Sequence, residues 1–301
     1  MPSSITGFDA NGRIIPRGSN VVIPKEMAGI GDLIYKNGSS VKVIGRGTAT
    51  STSISISGTT YSLYGIIYGF VNGEAMVLAP RELGGKQWGA YVSGMPIVSP
   101  GGVLMRNGAK AYAYAQMNTA QNSGYITGGS SAPLVLGSAY QATSLTSSSF
   151  ASSASAEIKA RYGTWQEYIR QTLRVQGAPG SPFGAVATNV KVHEFGRYIG
   201  KTYGGSQALG TALRACYDHN EGGGTWWLPS MFELGELMID EHLNKVNENT
   251  TVADSVSEGS DRWSCVLLSS GAAWHYDGVG MSHSLAFTYE FAVRPVTLLK
   301  L

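Results

Sequence analysis

The sequence has few charged residues, little cysteine and no long hydrophobic run. Charged side chains make up 14% of the 301 residues, and the formal net charge is +2 without a dense cluster of lysine and arginine. Such a chain lacks the electrostatic signature of nucleic-acid binding. A transmembrane helix needs about 20 consecutive apolar residues, which the sequence does not contain. We therefore expect no nucleic-acid partner and no membrane insertion.

The beginning of the sequence, Met1-Pro2-Ser3-Ser4, lacks the basic and apolar regions of a secretory signal peptide. We therefore expect assembly in the cytoplasm, although removal of a signal would leave the same pattern. Disulfides are uncommon in that compartment. The chain has two cysteines, Cys216 and Cys265. We expect both to be free thiols, with a disulfide between them as the alternative.

Glycine is abundant, with 40 residues, and hydrophobic residues make up 43% of the chain. This is enough apolar material for one large domain or two modest ones, and the composition favours a β-rich fold with many loops. Residues 1–58 are predicted to form a small N-terminal β element, with a hairpin at Asn37-Gly38. This element is either an anchoring arm or a β cap on the main domain. Within it, Thr48–Thr60 is predicted to be an exposed strand or an extended link.

Residues 59–301 are predicted to form one domain that opens with a second hairpin. Apolar segments on both sides of Asn72-Gly73, within Tyr61–Pro80, have the pattern of two strands joined by a two-residue turn. The segment 123–195 is rich in glycine, serine and threonine, and it is predicted to be an irregular insertion.

Apolar residues at helical spacing predict helices at 156–173, 206–217 and 230–247. The last of these begins with Ser230 and Glu233, which have the spacing of a capping box. In this motif the serine hydroxyl accepts a hydrogen bond from the glutamate backbone N–H, and the carboxylate accepts one from the serine backbone N–H.

Two strands are predicted beyond these helices, at Trp263–Val266 and Phe287–Val296. Both segments contain bulky and β-branched residues and are bounded by glycine and serine. The segment between them, Leu268–Ser284, has few aliphatic residues and many aromatic and small polar ones. This composition is typical of a surface loop that contacts a ligand.

The motifs of the C-terminal third follow one another in a characteristic order: Gly-Gly-x-Trp-Trp-Leu-Pro-Ser-x-x-Glu-Leu, then Trp-Ser, then Ala-Trp with a following glycine, and finally Val-Arg-Pro-Val. The residues that carry this pattern are Gly223, Gly224, Trp226, Trp227, Leu228, Pro229, Ser230, Glu233, Leu234, Trp263, Ser264, Ala273, Trp274, Gly278, Val293, Arg294, Pro295 and Val296. The pattern resembles the C-type-lectin-fold domains of gut-bacterial surface proteins and of phage adhesins of the major tropism determinant type. More distantly it is similar to the formylglycine-generating enzymes.

The resemblance implies an α+β, C-type-lectin-like fold with mixed and antiparallel sheets and two helices, 206–217 and 230–247, beside the small N-terminal β element. It implies that the first strand of the opening hairpin lies beside the terminal strand. Relatives usually continue Trp-Ser with Ser-Thr, whereas this chain has Cys265-Val266.

The resemblance also implies a ligand-binding surface in the C-terminal segment. The residues at the comparable positions are Ser269, Ser270, Trp274, His275, Tyr276, Asp277, Ser282, His283 and Tyr289. For Trp274 to Asp277, a displayed loop and a packed segment are both open interpretations. Trp226, Trp227 and Trp263 are instead predicted to be core residues, because a tryptophan before a helix-starting proline usually packs inside.

The sequence offers little catalytic chemistry, since it has neither a Walker-type loop nor a His-Glu-x-x-His motif. Cys216 and His219 have a spacing that some metal sites use, but no second close pair completes four ligands. The carboxylates that could be paired are Asp218, Glu221, Asp277 and Glu290. We expect no enzyme activity, no cofactor, no metal and no calcium, with an oxidase of the formylglycine-generating type as the alternative.

The function that the resemblance implies is a non-enzymatic phage virion protein, a head or tail fibre adhesin that binds a glycan or protein on the host cell surface. Its N-terminal arm is expected to contact other virion proteins, and it is expected to be a homotrimer assembled in the host cytoplasm. The alternatives are a bacterial surface or pilus-tip adhesin that has lost its signal, and a structural decoration protein of the virion.

Overall fold

The computed structural model describes residues 5–8, 14–16, 20–71, 73–95, 104–105, 152, 155–162, 174–175, 190–191, 195–220, 223–238, 240–276 and 280–301. The α-helices among them are short: α1 (Ala156–Tyr162), α2 (Phe195–Tyr203), α3 (Ala212–Asp218), α4 (Met231–Leu237) and α5 (Asp240–Asn247), with single 3-10 turns at Lys25–Met27 and Gly204–Ser206. Together with two large sheets they make the fold α+β, as the sequence predicts.

The larger sheet has seven strands, numbered in chain order and all paired antiparallel. From one edge to the other it contains β17 (Val296–Leu299), β8 (Glu74–Leu78), β7 (Thr59–Val71), β4 (Leu33–Asn37), β5 (Ser40–Ile44) and β3 (Val22–Ile23), and β6 (Ser53–Ile56) also pairs with β7. Two small ribbons lie outside it, formed by β1 (Ile5–Phe8) with β2 (Ile14–Pro16), and by β11 (Arg174–Val175) with β12 (Val190–Lys191).

The second sheet is built around four C-terminal strands. Its order is β10 (Leu104–Met105), β15 (Gly280–Ala286), β14 (Ala272–Tyr276), β13 (Arg262–Ser269), β16 (Glu290–Ala292) and β9 (Gly85–Gln87). The pair β13 and β16 is parallel and the other pairs are antiparallel, so this sheet is mixed. Helix α4 packs against β7 of the first sheet and against β13 and β14 of the second, which places the main core between the two sheets.

Both predicted hairpins are confirmed. Val71 pairs with Glu74 around the turn at Asn72-Gly73. In the first hairpin Asn37 pairs with Ser40, so Asn37 is the last strand residue rather than part of the turn. Its side-chain amide donates a hydrogen bond to the carbonyl of Thr60.

The prediction for the neighbour of the terminal strand is wrong. Strand β17 pairs with β8, the second strand of the opening hairpin, because the other edge of the first strand, β7, is occupied by β4 and β6. The predicted strand Phe287–Val296 is also interrupted: β16 ends at Ala292 and β17 begins at Val296. Pro295 lacks the N–H that a continuous ladder needs, and the preceding Arg294 turns its guanidinium into the core.

The larger sheet contains strands from both sides of residue 58, where the sequence predicts the end of the N-terminal element. Strands β3, β4, β5 and β6 all lie between residues 22 and 56, and they belong to the same sheet as β7, β8 and β17. Of the two alternatives predicted for Thr48–Thr60, the strand is present: β6 pairs with β7, with Ser53 and Ser55 exposed and Ile54 buried. An anchoring role for the N-terminal residues stays a prediction.

The Gly-Gly-x-Trp-Trp segment joins the two sides of the larger sheet. Trp226 packs in the apolar cluster on one face of the larger sheet, and Trp227 packs in the main core on the other face. Both side chains are buried, which confirms the prediction that they are core residues. Gly223 has a φ of +71°, where only glycine is unstrained. A Cβ on Gly224 would lie 2.1 Å from the hydroxyl oxygen of Tyr64. Both glycines are therefore structural.

The helix predictions are confirmed only in part. The capping box at Ser230 is present as predicted, but 230–247 is divided into α4 and α5. The predicted helix 206–217 begins only at Ala212, because Gly210 has a φ of +85° and ends the preceding turn. Of 156–173 the described part is α1, and most of the predicted insertion 123–195 lies outside the described residues.

The sequence pattern missed helix α2. Gly196 and Gly200 disfavour a helix by propensity, yet both lie on its packed face. A Cβ at Gly196 would lie 2.3 Å from Oε2 of Glu233, and one at Gly200 would lie 2.5 Å from Cβ of Trp227. The helix can therefore approach Trp227 closely only because these two positions have no side chain.

Candidate functional site

The structure divides the nine candidate ligand-binding residues into four groups. Ser270 and Tyr289 are exposed, whereas Trp274, His275 and Tyr276 are buried. Strand β13 contains Ser269, and β15 contains Ser282 and His283. Asp277 lies outside the described residues.

Of the two interpretations left open for this segment, the structure shows the packed one for Trp274, His275 and Tyr276, which belong to strand β14. This strand has β13 on one side and β15 on the other. Successive side chains point to opposite faces of a strand, and these three are between 0% and 4% exposed. Both faces of β14 are thus covered, and none of the three side chains is displayed. A ligand-contacting role for the set as a whole stays a prediction.

Four aromatic rings form a column that connects this buried strand to the surface. The ring of His275 stacks on Phe291 with centroids 4.8 Å apart, and Trp263 packs against Phe291 at 4.5 Å. The ring of Tyr289 is nearly parallel to that of Phe291, with centroids 6.2 Å apart and planes 23° apart. We refer to Trp263, His275, Phe291 and Tyr289 as the aromatic column.

The strand register explains why these rings meet. Trp263 of β13 is the direct partner of His275 in β14, and His275 is in turn the partner of Ser282 in β15. Phe291 of β16 is the partner of Lys86 in β9. Directly opposed residues share a face of the sheet. The indole nitrogen of Trp263 also donates a hydrogen bond of 2.8 Å to the carbonyl of Lys86, which holds β9 against the column.

The carboxylate of Glu233 is a buried polar group in the core. Its Oε1 accepts a 2.8 Å hydrogen bond from the indole nitrogen of Trp227, and its Oε2 accepts one of 2.6 Å from the backbone N–H of Ser230. Burial raises the pKa of Glu233 to about 7, against the opposing effect of these hydrogen bonds and of the positive charge of Arg197. The group is 1% exposed, so no substrate can reach it and its role is structural.

Tyr68 lies in the same part of the core. Burial raises the pKa of its hydroxyl well above the ordinary value, and the charges of Glu233 and Glu236 add to this effect. Among the described residues this hydroxyl has no hydrogen-bond partner. Since it is 1% exposed, it is also out of reach of a ligand.

The cysteines are free, as expected, and both are buried. Burial raises the pKa of the Cys216 and Cys265 thiols well above the ordinary value, which disfavours the thiolate needed for metal binding or nucleophilic attack. His219, the other member of the possible metal pair, packs edge-on against Trp226 with centroids 5.1 Å apart. Within the part of the chain that the structure describes, no three histidine, cysteine or acidic residues are grouped so as to hold a metal.

The possible carboxylate pairs have separate environments. Asp218 accepts a 2.6 Å hydrogen bond from Arg214 one helical turn earlier, and Glu290 is exposed on β16. Glu221 and Asp277 lie outside the described residues.

Sequence reasoning did not include Phe291 of the aromatic column, or Lys86, its partner in β9, in a candidate site. The alternation in the last strands could have indicated that Phe291 and Tyr289, two residues apart, share a face. The pairing of β16 with β9 is a contact between distant segments, and nothing local in the sequence indicates it.

Comparison with known proteins found no matching family model, no matching curated protein and no matching solved structure. Among the described residues, no helix is both long and apolar enough to cross a membrane.

Proposed function

We propose that this chain is a non-enzymatic phage virion protein, a head or tail fibre adhesin that presents a lectin-like surface to a receptor on the host cell. The observation that carries the proposal is the ordered set of C-terminal motifs, from Gly223-Gly224 to the terminal Val-Arg-Pro-Val. The resemblance of these motifs to phage adhesins of the C-type-lectin fold supplies the function.

The contacts of the motif residues support this proposal because they form one connected unit. The backbone of Trp227 exchanges two hydrogen bonds of 3.0 Å with Val296, and its indole binds Glu233 of the same motif. The backbone N–H of Cys265, which follows Trp-Ser, donates to the carbonyl of Pro229. Motifs that are far apart in sequence are therefore in direct contact, at Val296 of the larger sheet and at Cys265 of the second sheet. Ser270, which follows β13, and Tyr289, which precedes β16, are exposed and can contact a receptor.

An enzyme of the formylglycine-generating type is less well supported, because it needs reactive thiols. Both thiols here are buried in apolar surroundings that raise their pKa. If the alternative were correct, the purified protein would bind copper and consume oxygen in the presence of a thiol substrate.

The test is binding of the fluorescently labelled full chain to intact cells from a panel of bacterial strains. We expect saturable binding to at least one strain, with competition by unlabelled protein. The variant Ser270→Ala with Tyr289→Ala should bind at least about tenfold more weakly, since both exposed candidates are removed. Tyr217→Ala is the matched control, because Tyr217 is similarly exposed but lies on α3.

Alanine substitutions at Trp274, His275 and Tyr276 are unsuitable for this test, because their burial makes loss of folding the expected result. A folded protein that binds no strain would contradict the adhesin and favour a decoration protein. Antibody labelling separates the remaining alternatives, since a virion protein is expected on purified particles and a bacterial adhesin on the surface of the producing cell. The expected homotrimer would have three times the 31.8 kDa mass of the chain in sedimentation equilibrium.

A further inference from the structure

Tyr289 is the exposed end of the aromatic column. Half of its surface is accessible, at 50%, while the next ring, Phe291, is 9% exposed and His275 is 4% exposed. The Tyr289 and Phe291 rings are inclined by only 23°. The Tyr289 ring is therefore nearly parallel to a packed aromatic side chain, while half of its surface remains accessible to a ligand.

The rings below Tyr289 make it a firm platform. Phe291 packs against both His275 and Trp263, whose strands are paired directly with each other. The backbone N–H of Tyr289 also donates a hydrogen bond of 3.1 Å to the carbonyl of Ala286. An aromatic ring that is already ordered loses little conformational entropy when a ligand stacks on it.

The surroundings of this platform are polar. Thr288 and Glu290, the two neighbours of Tyr289 in the sequence, are both exposed. The register places Lys86 opposite Phe291, on the face of the sheet that carries the column. Among the described residues, the Tyr289 hydroxyl forms no hydrogen bond within the protein and is therefore available to a ligand.

A single aromatic ring among polar side chains fits a sugar better than a protein surface. The C–H groups on one face of a hexopyranose are apolar and pack on the face of an aromatic ring, while the hydroxyl groups at its edge require polar partners. A protein interface usually needs several clustered apolar anchors. The other large hydrophobic side chains that are exposed among the described residues all lie outside strands β13 to β17 and the turns between them: Val22, Met27, Tyr91, Leu209 and Tyr217.

We propose that Tyr289 is a stacking subsite for a hexopyranose unit of a host-surface glycan, and that it binds without calcium. The inference rests on the proposed function and names the class of ligand that the adhesin recognises. Stacking requires no metal ion, so binding should be the same with and without EDTA.

The experiment measures binding of the purified full chain to an array of bacterial lipopolysaccharides, capsular polysaccharides and peptidoglycan fragments. We expect binding to at least one of these glycans in EDTA. Tyr289→Ala should weaken it at least about tenfold, and Tyr289→Phe should keep it within about threefold, because phenylalanine retains the ring. Tyr217→Ala should bind as the unchanged protein does. Thermal unfolding of each variant verifies that the fold is kept, which is expected for a half-exposed side chain.

Each other outcome overturns the inference in a recognisable way. If the protein binds intact cells but none of the glycans, or if Tyr289→Ala binds glycan normally, the sugar subsite is wrong and the adhesin function stands. If glycan binding is lost in EDTA, a metal-dependent site replaces the stacking subsite. If the folded protein binds neither cells nor glycans, both proposals fail.

Discussion

The indole nitrogen of Trp227 donates a 2.8 Å hydrogen bond to a carboxylate oxygen of Glu233 in the middle of the core. Trp227 ends the segment that pairs with β17, and Glu233 lies in the first turn of α4. The same carboxylate completes the capping box with Ser230. One buried acidic group thus connects the C-terminal strand to the helix between the two sheets.

Glu233 makes the stability of the protein depend on pH in a direction opposite to that of an ordinary surface carboxylate. Its folded-state pKa of about 7 lies above the ordinary value of 4.5, so the folded state binds the proton more tightly than the unfolded state. The contribution of Glu233 to the free energy of unfolding should therefore increase as the pH falls from about 7 to 4.5, by up to about 3 kcal/mol. Above pH 7 this contribution is lost.

Urea unfolding at several pH values, compared between the unchanged protein and Glu233→Gln, isolates this contribution from that of the other titratable groups. The difference in the free energy of unfolding between the two proteins should change across pH 4.5 to 7. Two parallel profiles would contradict the raised pKa of Glu233.

Gly224→Ala should destabilise the protein by about 1–3 kcal/mol, as overpacking does in a dense core. The new Cβ would lie 2.1 Å from the hydroxyl oxygen of Tyr64. In Tyr64→Phe that oxygen is absent, so the double variant should lose less stability than the sum of the two single variants. Denaturant unfolding measures the four proteins of this double-mutant cycle. Gly259→Ala, where no atom lies within 4 Å of the new Cβ, should change stability by less than about 0.5 kcal/mol.

Gly200→Ala distinguishes helix propensity from packing. Alanine is favoured over glycine in a helix by about 1 kcal/mol, but here its Cβ would lie 2.5 Å from Cβ of Trp227. The steric overlap should outweigh the gain in helix propensity, because neither α2 nor the Trp227 backbone can move without disturbing the core. We therefore expect the free energy of unfolding to fall by about 1–3 kcal/mol. Lys201→Ala, at the next and exposed position, should be nearly neutral in the same thermal unfolding experiment. A stabilised Gly200→Ala protein would show that α2 does not pack on Trp227 as described.

The same contacts explain which features could be predicted from the sequence. The capping box of Ser230 and Glu233 is local, and its two residues are three positions apart, so the pattern predicts it directly. Helix α2 is not predicted, because Gly196 and Gly200 oppose a helix until the distant Trp227 is considered. The order of strands around β7 likewise depends on pairing between segments that are far apart in sequence.

In the candidate site, too, local features could be predicted from the sequence and contacts between distant segments could not. The sequence around Trp274 leaves a loop and a packed segment both open, because it does not show that this segment pairs with β13 on one edge and with β15 on the other. Tyr289 is exposed, as the resemblance implies. Its support by Phe291 and His275 depends on the register of three strands, which the sequence does not specify.

Arg294 should be essential for stability because its guanidinium is buried and bonded to backbone carbonyls. It donates hydrogen bonds of 2.7 Å to Ala79, 2.9 Å to Pro80 and 2.7 Å to Asp254, and burial lowers its pKa to about 10. A lysine retains the charge but cannot reach these carbonyls with a planar fork of donors. We therefore expect Arg294→Lys to lose about 2–4 kcal/mol, since buried carbonyls are left without partners.

Arg81→Lys is the matched control for this prediction, because Arg81 also contacts Asp254 but its side chain is 53% exposed. An exposed ion pair contributes little to stability, so a change below about 1 kcal/mol is expected. Guanidinium chloride unfolding of both variants gives the comparison. Equal losses for the two substitutions would mean that the buried carbonyl contacts of Arg294 contribute no more to stability than the exposed contact of Arg81 with Asp254. A much larger loss for Arg294→Lys would instead identify Arg294 as the residue that fastens the interrupted C-terminal strand to the end of β8.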